Sequence, residues 1–458
     1  LLYHYLKSRH LEVSLELQEL KIHARNYIPK TVEAVQIIEN NMKNLQLEKA
    51  YGNLLELSAI LKQESGTSSI VILDDFHCLD SYKIQSPFGR LAKEIMIQKD
   101  TMYIFISAQV NYAKRILASE LSLLFGNFET VHLEHFDYST SCKFLQQRFH
   151  DIELPKDLRD FLINFSKGHP FYLDTLSNKL LEQAKQLNKQ EINRGLIAQA
   201  FNATIYDSKG ILNQYFANTL SHNLNGADYV NFIPILLSAS ERACCLSDIS
   251  RQIKRQPKAL SKQIGYLLSN DLLSKIGVFY RIQDRLFRFW LKSVYQRKNL
   301  SLDTDLDAES RQFSEEIEEQ ISYFSQQTKT KTLERVIDLC KSFNNEIVMI
   351  QNKSFRLWHF EEICPWPKEN LQNCLLARYK EGSWLFWIMN EEVNELQLQE
   401  FIQATRESGC KIRRAIIIAF QELDLNVRLV ALEKKIWIWT PTDLNLLLDL
   451  YGKQQLTT

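Results

Sequence analysis

The chain opens with LLYHYLKSRH, whose apolar positions fall at helical spacing, and continues with LEVSLELQEL from Leu11, where apolar and polar residues alternate as in a strand. Two later runs are apolar without alternation: Ile70 to Leu73 within SIVILDDFHCLD, and MYIFISAQ from Met102. Such runs predict strands buried on both faces of a parallel sheet. Between them GRLAKEIMIQKD reads as a helix. After them TVHLEHF, from Thr130, reads as a third strand, and YSTSCKFLQQRF as a helix that Ser139 or Thr140 can cap. Strand, helix, strand, helix, strand is the order of a doubly wound parallel sheet, so the fold class is α/β.

From about Pro155 the pattern turns helical, with Leu158 to Phe165 and Phe171 to Leu187 apolar at three- and four-residue steps. Between Asn231 and Tyr295, the segments LSDISRQI, KALSKQIGYLLSNDLL and SKIGVFYRIQDRLFRFWL predict helix, turn, helix and a two-stranded wing. A polar, acidic helix follows around Asp303 to Glu319. From about Lys331, SWLFWIM at Ser383, RRAIIIAF at Arg413, VRLVAL at Val427 and IWIW at Ile436 predict strands, with LQEFIQATRES from Leu398 as a crossing helix. These changes divide the chain into residues 1–150 (sheet core), 151–225 (helical lid), 226–300 (winged helix-turn-helix), 301–330 (helical linker) and 331–458 (a small α/β domain).

A length of 458 residues suits several domains, and 45% hydrophobic with 24% charged residues excludes a disordered or fibrous chain. Lys+Arg and Asp+Glu balance at 55 each, so nucleic acid or an anionic membrane would have to be met locally rather than by a global field. Eight scattered cysteines without a CxxC pair predict reduced thiols and a cytoplasmic location, with no zinc site. The longest apolar stretches, AIIIAF and FIPILL, fall well short of the ~20 residues of a membrane helix, so no membrane segment is expected.

The candidate chemistry begins at Asp74 and Asp75, where carboxylates follow directly on a predicted parallel strand. That is the crevice in which open α/β sheets bind ligands, and a Walker B aspartate there holds Mg²⁺ on phosphates. Asp74 fits that role and Asp75 a place beside an attacking water. The plain alternative is a strand stopped by a polar turn. Ser107, at the tip of the second strand, fits a residue sensing a γ-phosphate, or is an ordinary strand-terminal serine.

The succession LLYHYL, SIVILDDFHCLD, MYIFISAQ, LEHFDYSTSCKFL and FSKGHPFYLDTL resembles, in order and over roughly Leu1 to Trp290, the prokaryotic archaeal-type P-loop ATPases of the AAA/STAND group. The resemblance implies ATP and Mg²⁺ as ligands. It also implies a GxxxxGK[ST] loop directly before the LLYHYL-like helix, so an earlier strand and loop are expected ahead of Leu1, which lacks both a methionine and an N-cap. Gly168, His169 and Pro170 match the family's Gly-x-Pro turn, which opens a lid helix and places polar groups near the nucleotide. Departures are Asp75, where many relatives carry glutamate, and Asn127 after Gly126, where relatives often carry arginine. Lys114 and Arg115 are the nearby cations.

In the helix-turn-helix, Lys258, Lys262 and Gln263 fall on the face of the second helix expected to be exposed, with Arg251, Lys254 and Arg255 just before it. A basic, polar face suits DNA phosphates and base edges; equally, it suits a solvated face of a structural or protein-binding module. The closing TPTDLNLLLDLYGK resembles the last helix of restriction-endonuclease-like domains appended to these ATPases. SWLFWIM carries no acid or ExK, Glu391 and Glu392 come after it, and Glu346 has no visible partner, so the domain is expected to be nuclease-like in fold and inert in chemistry. The reading is a regulatory ATPase in which nucleotide state moves the winged-helix and C-terminal domains. The alternatives are a DNA-associated regulator or defence module with little hydrolysis, and a protein-binding scaffold.

Overall fold

A computed structural model describes residues 1–124, 126–224, 229–300, 306–366, 373–406 and 409–456, with backbone alone at 299, 300 and 306. The predicted boundary at 226 and Asp303 lie outside the described residues. The described chain is a mixed α/β structure that separates into two compact units, Leu1–His132 with Ser269–Asp271, and Leu133–Leu268 with Leu272–Thr458.

In the first unit, helices Leu2–Ser8, Leu17–Ala24, Pro29–Lys43 and Leu47–Ser65 bury Leu6, Leu20, Ala24, Val32 and Leu61 in one cluster. Pro29 pre-sets the first turn of its helix, and Gly66, at φ 72°, ends the fourth in the left-handed region that glycine adopts without strain. Strands β1 (Ser69–Leu73) and β2 (Thr101–Phe105) pair in parallel, Ser69 opposite Thr101 and Leu73 opposite Phe105, with helix Pro87–Ile97 crossing between them. On one face Leu73 and Phe105 pack against Phe76, Phe88, Ala92 and Ile116.

Among the described residues nothing covers the other face, where Ile70, Ile72 and Met102 are 59–65% exposed, which corrects the expectation of strands buried on both sides. Helices Pro87–Ile97 and Val110–Ser119 cover only one side. Two further strands do not form. LEVSLELQEL is irregular to Glu16 and then helical; Leu11 and Val13 keep the alternation by packing on the helical cluster while Ser14 Oγ accepts the Glu16 N–H at 3.2 Å. TVHLEHF is irregular, with Val131 and Leu133 76% and 92% exposed. Alternation specifies a face; a strand also needs a ladder partner, and among the described residues β1 and β2 pair only with each other.

The second unit begins with helices Tyr138–Arg148, Lys156–Ser166, Pro170–Gln186, Arg194–Phe201, Ile211–Asn223 and Tyr229–Glu241. The first is capped by Asp137, which accepts the Thr140 N–H at 2.6 Å, two residues before Ser139 and three before Thr140, the caps expected from the sequence. β3 (Cys244–Cys245) leads into helices Leu246–Ile253 and Pro257–Ser269 and then the hairpin β4 (Ser274–Ile276) and β5 (Phe279–Arg281), the three strands ordered β3-β5-β4. The acidic helix is observed as Leu306–Lys329, and its Phe313, Ile317, Ile321 and Phe324 recur at helical spacing. They join one continuous core that runs from Leu145 through the helix pair to Phe324.

Beyond it lie the hairpin β6 (Glu346–Ile350) and β7 (Lys353–Leu357), then β8 (Glu362–Pro365), β9 (Cys374–Tyr379), β10 (Gly382–Met389), β11 (Ile412–Ala419) and β12 (Trp437–Trp439). The five-stranded sheet is ordered β12-β11-β10-β9-β8, parallel across β10, β11 and β12 and antiparallel elsewhere. VRLVAL, expected as a strand, is the helix Leu425–Glu433, capped by Asp424. β11 and β12 are parallel neighbours, and a parallel pair needs a crossover whose usual form is a helix. That demand overrides the β-branched composition.

Candidate functional site

Backbone hydrogen bonds continue past the ends of β1 and β2: Ile106 N donates to Leu73 O at 3.0 Å and Phe76 N to Ile106 O at 3.3 Å. The two strand tips are thereby held level, and Asp74, Asp75 and Ser107 come together at the carboxyl edge. Asp74 and Asp75 are exposed, and Asp74 Oδ1 accepts the N–H of Asp75 at 3.0 Å. Asp75 stands at φ 45°, in the left-handed region, before a 3₁₀ turn, Phe76–Tyr82.

That turn delivers His77, which the sequence reading had not singled out. His77 is buried, and its Nδ1 lies 2.9 Å from Ser107 Oγ and 3.9 Å from an Asp75 carboxylate oxygen. The Ser107 hydroxyl also accepts the Gln109 N–H at 3.1 Å. Tyr112 meets the imidazole edge-on at 5.7 Å between ring centres, and the exposed Arg115 guanidinium sits 4.5 Å over the Tyr112 ring. One signal in the sequence pointed to His77: a titratable side chain two residues after a strand-terminal acid pair.

Mg²⁺ is ordinarily held by one or two carboxylates with phosphate oxygens and water completing an octahedron. Asp74 and Asp75 fit that pattern, since both carboxylates reach solvent at a strand edge. Among the described residues no group of three or more His, Cys, Asp or Glu forms an all-protein metal cage. The eight cysteines are unbridged, and among the described residues no helix is long and apolar enough to cross a membrane.

Gly168, His169 and Pro170 lie in the second unit. Gly168 is at φ 68°, and a Cβ there would come 2.1 Å from the carbonyl oxygen of Phe136, whose own N–H donates to Gly168 O at 3.0 Å. Only glycine fits that crossing. His169 caps helix Pro170–Gln186, with Pro170 at its first position. The imidazole stacks on Tyr172 at 3.9 Å and meets His135 at 4.7 Å, and its Nδ1 is buried without a partner. Burial, reinforced by His135, lowers its pKa to about 4.

On helix Pro257–Ser269, Lys258 and Lys262 are exposed one turn apart while Leu260, Ile264 and Leu267 are buried. Gln263 departs from the expected exposed face: it is half-buried, with a buried Oε1 lacking a partner, because it stands next to Ile264 on the flank of the apolar stripe. Glu346 has partners the sequence could not reveal, accepting from Asn344 N at 2.6 Å and Tyr451 OH at 3.0 Å, while Glu391 and Glu392 are exposed beyond β10.

No family model matches the chain, and no curated protein matches it. Solved structures do. The Walker-type ATPase PABY2304 of Pyrococcus abyssi is similar at 15% identity over 63% of this chain and 74% of that one, with a TM-score of 0.41. The ORC2 protein of Aeropyrum pernix, in ADPNP–ADP complexes, matches at 13% identity over 55% and 70%, with a TM-score of 0.37. RuvB of Thermotoga maritima, a Holliday-junction branch-migration motor, matches at 11% identity over 56% and 84%, with a TM-score of 0.26.

Proposed function

We propose that this chain belongs to an ATP-binding and hydrolysing regulatory ATPase of the AAA/STAND-like kind, in which nucleotide state repositions a winged-helix part and a nuclease-like C-terminal part. The observation that supports it is the juxtaposition of Asp74, Asp75 and Ser107 at level tips of two parallel strands, since the carboxyl edge of such a sheet is where phosphates and their metal are held. Asp74 would hold Mg²⁺, which when bound supplies charge neutralisation on the phosphates. Asp75 presents an exposed carboxylate beside it to orient water. Ser107 offers its hydroxyl toward a terminal phosphate, and His77 fixes that hydroxyl from behind. Gly168, His169 and Pro170 would then serve the nucleotide by shaping the lid helix they open. The lid helices and the helix pair share one core, so they would move as one body.

The test is Mg²⁺-ATP binding and turnover in the native gene product beside its Asp74→Ala variant. Binding and hydrolysis lost on substitution support the reading. A native protein indifferent to nucleotide sinks it.

A second reading, a DNA-associated regulator, is favoured by one observation. Arg251, Lys254, Lys258 and Lys262 are all exposed, and among the described residues none forms an ion pair. If they meet DNA phosphates, log affinity falls linearly with log salt, and replacing Lys258 and Lys262 by alanine reduces the slope by about two. Affinity without that salt dependence points instead to a protein partner.

A further inference from the structure

Within the second unit, four cations converge on one carboxylate. Asp449, only 3% exposed, accepts from Arg281 Nη1 at 2.6 Å and Arg288 Nη2 at 3.0 Å, with Lys167 Nζ 4.0 Å away. Arg285 stands beside them and donates through Nη1 to the side-chain oxygen of Asn164 at 2.5 Å and its carbonyl at 3.3 Å. One negative charge thus faces Lys167, Arg281, Arg285 and Arg288. The imbalance is visible in the groups themselves: burial opposes ionisation of Asp449, yet Lys167 and the arginines outweigh it and hold the carboxyl at about 2. Burial lowers Lys167 to about 8 and Arg285 to about 10.

Beside this cluster opens a pocket of about 170 Å³, lined by Arg285, Arg288, Lys292 and Lys453 among others. Three acids line it too, and two are engaged: Asp449 as described, and Glu316 with Ser293 and Arg297, both at 2.7 Å. The third, Glu241, and the exposed Lys292 bring one further charge of each sign. Lys453 pairs with Asp338. Arg285 and Arg288 each commit a single Nη in the bonds described, so their remaining N–H groups are free for the pocket that both line. The Nε of Arg281 is buried and unpartnered. A buried guanidinium donor left without an acceptor is unfavourable.

We propose that this pocket binds a small multivalent oxyanion of the phosphate class. Planar guanidiniums at its wall match the paired oxygens of a phosphoryl group, and two or three added negative charges would balance the surplus on Lys167 and the arginines. A pocket of this size, open to solvent, admits a phosphoryl group. The site is distinct from the one at Asp74, which belongs to the first unit. Its walls come from Phe165 and from segments 240–241, 285–292, 316–323 and 449–454, so the bound anion would tie the acidic helix Leu306–Lys329 and the end of helix Pro441–Leu450 to the segment after β5.

The experiment is calorimetric titration of the chain with inorganic phosphate at fixed ionic strength, with chloride as the blank and pyrophosphate and a phosphomonoester as further ligands. Saturable phosphate binding is expected, weakened at least tenfold by Lys292→Glu, an exposed position whose substitution leaves the fold intact, and abolished by Arg285→Gln. Saturation by orthophosphate alone marks a free-anion site; tighter binding of the larger ligands marks a site for the phosphoryl end of a longer molecule. No heat beyond the chloride blank, or binding untouched by both substitutions, overturns the proposal.

Discussion

Replacing Asp449 by asparagine keeps the shape of the side chain and removes the one charge that Lys167, Arg281, Arg285 and Arg288 share. Breaking a buried ion pair from one side costs about 3–5 kcal/mol, because the partner charges stay buried without compensation. Titration gives an independent figure: a carboxyl moved from 3.8 to about 2 is favoured in its ionised form by about 2.5 kcal/mol in the folded chain. Asp449→Asn should therefore lower stability by about 2.5–5 kcal/mol. The sign of the pH dependence follows. A folded-state pKa below the unfolded one stabilises fully above pH 3.8 and loses that stability as pH falls towards 2, so the variant should lack this part of the acid limb. Reversible urea unfolding, followed by tryptophan fluorescence and far-ultraviolet dichroism together, measures it, since coincident traces license a single free energy. A cost below about 1 kcal/mol, or one that disappears in high salt as a surface pair would, refutes the reasoning.

Gly168→Ala forces a left-handed backbone on a residue with a Cβ and drives that Cβ onto the Phe136 carbonyl; a loss of about 2–4 kcal/mol in the same assay is expected, and a neutral result would show that the crossing is looser than drawn. His169, lowered to about 4 by burial and by His135, leaves stability complete above pH 6.5 and erodes it by up to about 3 kcal/mol as pH falls towards 4; His169→Phe, which keeps the stack on Tyr172, should flatten that slope. Ile72→Thr on the bare face of β1 should change stability by less than about 0.5 kcal/mol, whereas a cost near 2 would mean that something covers the face.

What the sequence disclosed depended on how local its cause was. β1, β2, β10 and β11 were legible as strands because an uninterrupted apolar run needs no knowledge of its neighbours to be read as one, and helix Pro170–Gln186 because Pro170 marks its first turn. The two faces of β1 were not legible, since Ile70 and Ile72 are no less apolar than the half-buried Val71 and Leu73, and only the placement of neighbouring helices separates them. VRLVAL failed for a related reason: its composition favours a strand, but the parallel pairing of β11 with β12 required a crossover there. At the candidate site, the acids and Ser107 could be found from strand ends alone. His77 could be placed against Ser107 only once the 3₁₀ turn had brought it back over the tip of β2.

The cation cluster carries that limit furthest. Arg281, Arg285 and Arg288 stand four and three residues apart in YRIQDRLFRFW, a spacing that gathers them on one side of a turn and that any reader of the chain can see. Like charges gathered in this way repel and are normally a solvated surface. What makes them an interior feature is Asp449, 168 residues further along the chain than Arg281, on a helix whose apolar face is buried against the C-terminal sheet. A single carboxylate accounts for part of the charge it meets there. The remainder follows from the geometry of the folded chain rather than from any local pattern: Arg281 Nε is buried without an acceptor, and Arg285 and Arg288 line the adjoining pocket with N–H groups left over from their bonds. An oxyanion in the adjoining pocket would supply acceptors to Arg285 and Arg288 without disturbing the pairing already made by Asp449.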